Sequence, residues 1–113
     1  MTIPVQKGTT AIATFETLDQ ENGTRVAPAS LPTSAYLHVN GAANSAIPVT
    51  VTQMQDASPA NITGYYKLTF PTSSLATQDD VHVMIAATIN SVAVSKPFHF
   101  VIINEATQIP VIR

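Results

Sequence analysis

Residues 81–103, VHVMIAATINSVAVSKPFHFVII, constrain the fold more tightly than any other stretch of the chain. Apolar side chains recur at every second position, first at Val81, Val83, Ile85, Ala87 and Ile89, then at Phe98, Phe100 and Ile102. A period of two places them on one face of extended backbone and is incompatible with a helix. Asn90-Ser91 lies between the two runs and predicts a hairpin tip. A two-residue turn there sets Val81 against Phe100, His82 against His99 and Val83 against Phe98. Pro97 is the point where a bulge would break that register.

The rest of the chain repeats the pattern in shorter pieces. TTAIATFETL (9–18) alternates Ala11, Ala13 and Phe15 against Ile12, Thr14 and Glu16. Asn22-Gly23 follows as a tight-turn signal. AYLHV (35–39) sets Ala35, Leu37 and Val39 against Tyr36 and His38. IPVTVTQ (47–53) turns Ile47, Val49 and Val51 inward, with Pro48 restricted to an edge or a strand start. GYYKLTF (64–70) turns Tyr66, Leu68 and Phe70 inward and Tyr65, Lys67 and Thr69 outward, and Pro71 ends it. Leu75 is the expected anchor of the polar corner that follows. No i, i+3, i+4, i+7 pattern competes with these runs. About seven short strands separated by turn signals predict an all-β class, a single antiparallel sandwich or barrel. The 113 residues suit one core. Its expected span is 9–103, between an N-terminal extended arm (1–8) and a C-terminal arm (104–113).

Charge narrows the function. Charged residues make up 11% of the chain and the formal net charge is −2. An average soluble domain carries about 25%. The five basic residues, Lys7, Arg25, Lys67, Lys96 and Arg113, are scattered singly, so there is no footprint for nucleic acid. A surface of Thr, Ser, Asn, Ala and Val has little charge to desolvate when a partner covers it. The expectation is a component of an assembly. The N-terminus lacks the n- and h-regions of a signal peptide, and no run approaches the roughly 20 apolar residues of a membrane span. The expected setting is therefore soluble, made in the cytoplasm, with no membrane partner. There is no cysteine, hence no disulfide framework and no thiolate metal site.

Chemistry-bearing constellations are sparse. His82 and His99 face each other in the expected hairpin, and His38 on another strand is a possible third zinc ligand. Two ligands do not make a structural site, and a polar outer face or a subunit contact is the preferred reading. Asp79-Asp80 and DQENG do not fit a calcium loop. No G-x-S-x-G or phosphate-binding loop is present. The expectation is a protein with no catalytic residues, no resident metal and no cofactor.

TGYYKLTFPTSSLATQDDVHVMIAATINSVAVSKPFHFVI, a Gly-x-Tyr strand, a polar corner and a long hairpin, resembles the Ig-like β-sandwich modules of tailed-bacteriophage virion proteins. Such modules recur in capsid decoration, neck, baseplate and fibre components. The resemblance covers the second half of the chain and rests on strand spacing. It implies a non-enzymatic virion structural protein, a homo-oligomer whose partner is the major capsid protein or another virion component. The apolar, proline-marked ends suit strand addition to a neighbour. Interface candidates are Ile3, Val5, Tyr36, Tyr65, Ile109, Val111 and Ile112. Three readings follow: a capsid decoration or cement protein, a neck, tail or baseplate adaptor, and, from another class, a carbohydrate-binding β-sandwich using Tyr36 and Tyr65.

Overall fold

The computed structural model describes residues 2–19 and 21–104. Eight strands occur among them: β1 (Thr2–Gln6), β2 (Thr10–Glu16), β3 (Thr33–Val39), β4 (Ala42–Ala43), β5 (Thr50–Gln55), β6 (Asn61–Pro71), β7 (Asp80–Ile89) and β8 (Val92–Ile103). They form two sheets, ordered β1-β8-β7-β3-β4 and β2-β6-β5. This is an all-β sandwich of two sheets. Its larger sheet has the central strand pairings of a variable-type domain, and its smaller sheet has three strands.

The β7–β8 hairpin has the register read from the sequence, with Val83 opposite Phe98 and His82 opposite His99. Asn90 and Ser91 both take left-handed φ values, 50° and 66°, as the tip of a tight hairpin requires. Pro97 causes no bulge and pairs with Met84 in unbroken register. Counting from a two-residue tip, the Met84–Pro97 pair is a non-hydrogen-bonded one, so the missing N–H is not asked for by β7. On its other side β1 covers β8 only from His99 onward.

The core lies between the sheets. Leu68, Phe70, Val81, Val83, Phe100 and Ile102 are fully buried, and Leu75 anchors the corner between β6 and β7. Phe70 of the smaller sheet meets Phe100 of the larger edge-on, with centroids 5.0 Å apart. Phe15 touches both Tyr66 and Phe98, at 5.7 and 5.8 Å. Such aromatic pairs add about 0.5–1.5 kcal/mol each beyond the area they bury. Burial pushes the Tyr66 phenol up from its usual value of 10.0.

Four expectations are corrected. Residues 2–6 do not form a separate arm: they are β1, which runs parallel to β8, so the sandwich is not wholly antiparallel. A parallel edge strand has no hairpin to announce it. Val5 and Ile3 therefore belong to the fold, Val5 buried and Ile3 packed against the core. Ala35 points outward, because a register shift between Ser34 and Tyr36 breaks the alternation of β3.

Gly64 lies within the long, continuous strand β6. Its φ is +72°, and a Cβ there would meet the Thr17 carbonyl oxygen, the Val26 nitrogen and the Arg25 Cβ, each at 3.0 Å. That close approach lets the Gly64 carbonyl accept the Thr17 N–H at 2.8 Å, while Thr17 Oγ1 donates to the Val26 carbonyl at 2.6 Å. Opposite this stretch, the β5–β6 register shifts between Gln53 and Gln55. Gly23 also has positive φ but nothing within 4 Å of its Cβ position. Gly64→Ala is expected to cost about 2–4 kcal/mol and Gly23→Ala about 1–2 kcal/mol in urea denaturation, from φ strain plus a backbone clash at Gly64 alone. Equal losses would contradict this account.

Candidate interaction surfaces

Outward positions of the larger sheet bring the three histidines into one row. The pairings Thr2–His99, His99–His82, His82–His38 and His38–Ala43 run across all five strands. His82 and His99 form a non-hydrogen-bonded pair by the same count from the tip, the pair type whose side chains lie closest. Their rings stack with centroids 4.2 Å apart and planes 7° apart. The Tyr36 and His38 rings stack at 4.2 Å along β3. Sequence pairing therefore located the His82–His99 contact, while the β3–β7 register, which the sequence did not give, sets His38 beside it.

The nitrogens of His99 are both engaged. Nδ1 lies 2.9 Å from Thr2 Oγ1, and Nε2 lies 3.1 Å from Asp80 Oδ1. Among the described residues no group of three or more His, Cys, Asp or Glu side chains is arranged to hold a metal ion. The order Thr2–His99–Asp80 has the connectivity of a hydroxyl–imidazole–carboxylate relay. Acyl transfer needs, besides connectivity, donors converging on a developing oxyanion. The His99 ring is instead stacked within a ladder on an open sheet face.

Below the row, Asp80 N–H donates to Asn40 Oδ1 at 2.9 Å, and Asn40 Nδ2 donates to Asp79 Oδ1 at 2.9 Å. The Ala76 N–H donates to Asp79 Oδ2 at 2.8 Å. The Ala76 N–H first, then Asn40, hold the Asp79 carboxyl below its ordinary 3.8, and the positive charge of Lys7 adds to this. Lys7 Nζ itself donates to the Leu75 carbonyl. The Asp79-Asp80 pair thus ties the β6–β7 corner to the end of β3.

On the smaller sheet Tyr65 is half-buried. The Arg25 guanidinium sits 5.8 Å from its ring and 3.5 Å from the Glu16 carboxylate. Tyr36 is the more exposed of the two outward tyrosines, at 38%. Ile109, Val111 and Ile112 lie outside the described residues.

A second surface had no signal in the alternation. β2 pairs with β6 on one side, and its other edge carries no strand among the described residues. The first half of β8, up to Phe98, is likewise uncovered. The seam between these two edges holds three adjoining hollows of about 540, 380 and 260 Å³, all lined by Lys96. Ile12, 55% exposed, and Leu18, 41% exposed, lie along it. Sequence shows which residues face out but not which strands end at a sheet edge, and this surface depends on the latter.

Comparison with known proteins gave no matching family model, no matching curated protein and no matching solved structure.

Asp79 makes a pH prediction. Its folded pKa is depressed, so its contribution to stability is present above 3.8 and is lost as pH falls through the lower folded value. Thermal melts should show stability falling with acidification in that range. Asp79→Asn should be less stable near neutral pH and should flatten that acid limb, whereas an unchanged limb would contradict the assignment.

Proposed function

We propose that this chain is a non-enzymatic structural protein of a tailed-phage particle, a capsid decoration or cement protein that binds the major capsid protein as a homo-oligomer. The observation that carries this reading is the pairing of a two-sheet β-sandwich with a charge-poor surface. With 11% charged residues, the two broad sheet faces can be covered at low desolvation cost. The outer face of the larger sheet adds stacked Tyr36–His38 and His82–His99 pairs, flat and polar, the kind of rim and platform that protein interfaces use. The resemblance of residues 63–102 to virion Ig-like modules supplies the setting. On this reading the protein resides in the virion after synthesis in the host cytoplasm and acts by contact, without a cofactor.

A neck, tail or baseplate adaptor would present the same surfaces and differs in copy number. The carbohydrate-binding alternative rests on Tyr36 alone as a well-exposed aromatic, since Tyr65 is covered by Arg25.

Quantitative mass spectrometry of purified particles from the source distinguishes these. The decoration reading predicts a copy number comparable with that of the major capsid protein. A small fraction of that number would transfer the chain to the neck or tail. Complete absence from particles would overturn both virion readings and make glycan-array binding, with Tyr36→Ala as the control, the next test.

A further inference from the structure

The two sheets have four outermost strands among the described residues, β1, β4, β2 and β5. An open edge invites a further strand, and proteins blunt it with proline, a very short strand, irregular register or charge. Three of the four carry such a feature in themselves. β1 contains Pro4, β4 has two residues, and β5 shifts register between Gln53 and Gln55. β2 carries none: TAIATFE alternates regularly, has no proline or lysine, and keeps an unshifted register against β6. The seam that it shares with the uncovered stretch of β8 is where Lys96 stands.

Lys96 breaks the pattern of its strand. It pairs with buried Ile85 and lies two residues from buried Phe98, so its position is an inward one. It is nevertheless exposed, with Nζ 5.6 Å from the centre of the Phe98 ring. There it lines the hollows together with Ala13, Thr14, Phe15 and Glu16 of β2. Pro97 follows it. Counting from the two-residue tip, Ala93, Ser95 and Pro97 turn their backbone groups away from β7, toward the open side. Pro97 has no N–H to offer there, and β1 takes up that side only from His99.

We propose that Lys96, together with Pro97, guards the seam against the addition of a further strand, protecting β8 directly and β2 from across the sandwich. A strand laid along either edge would cover the Lys96 ammonium. The carboxylate that lines the same hollows, Glu16, is paired with Arg25 at 3.5 Å. An ammonium covered without a partner is strongly unfavourable, which is why an inward-pointing charge keeps an edge free. The edge of β2 needs no protection of its own because the facing sheet supplies it. The inference does not rest on the virion reading; it leaves the broad sheet faces, and not the seam, for contacts between copies.

Hydrogen exchange followed by NMR and sedimentation velocity, both on the full-length protein, test this. In the wild type the Ala93 and Ser95 amides should exchange freely, while those of Val94 and Lys96, which bond to β7, should be protected. Lys96→Val/Pro97→Val supplies an apolar inward side chain and the missing donor. It should self-associate at a concentration roughly tenfold lower than the wild type, with Ala93 and Ser95 gaining protection. Lys67→Val removes the same charge from the central strand of the smaller sheet and should associate as the wild type does. Lys96→Gln removes the charge alone and carries the test if the double variant does not fold. Wild-type Ala93 and Ser95 amides that are already protected would overturn the proposal, because the edge would then be covered, by the molecule's own tail or by another chain. So would association left unchanged by the Lys96 variants, or raised equally by Lys67→Val. The particle copy number is untouched by any of these outcomes, so failure here and failure of the virion reading are distinguishable.

Discussion

The pairing of β7 with β8 is the constraint on which the rest of the structure depends. Its tip at Asn90-Ser91 fixes one register, and that register decides every inward and outward position of both strands. Val81, Val83, Phe98, Phe100 and Ile102 then form one apolar face, on which the smaller sheet lays Phe15, Tyr66, Leu68 and Phe70. β1 aligns along the end of β8, with Ile3 beside Phe100 and Val5 beside Ile102. A slip of one residue would exchange Phe98, Phe100 and Ile102 for Pro97, His99 and Val101 and leave the sandwich without that half of its core.

The same register makes the histidine row. Because His82 and His99 are a close pair on the solvent side, and β3 pairs with β7 at His38, three imidazoles share a line that no local motif specifies. Their chemistry is set by what surrounds them. Thr2 and Asp80 engage His99, and the stacked rings extend the sheet face as a platform. A charge-poor sandwich with such a face is suited to contact, which is why an assembly role is the reading favoured over a site for turnover.

Legibility followed the range of the interaction. Hairpins and alternation are local, so the β7–β8 register, the inward faces of β2 and β6 and the Leu75 anchor were all readable from short windows. Ala35 was misplaced because a bulge is invisible to a period-two count. β1 reads as an arm because a parallel partner almost a hundred residues away leaves no local trace. The bare edge of β2 was illegible for the same reason: an edge is defined by the strand that is missing. Gly64 was legible as a glycine near a strand start, but not as the close approach of Thr17 and Val26 that requires it.

The most direct test of the central claim is a cryo-EM reconstruction of particles from the source. The account predicts density for an eight-stranded sandwich at symmetry-related positions on the shell, with one of its broad sheet faces against the major capsid protein. A shell fully accounted for by other chains, with no sandwich density on it, would contradict a decoration role.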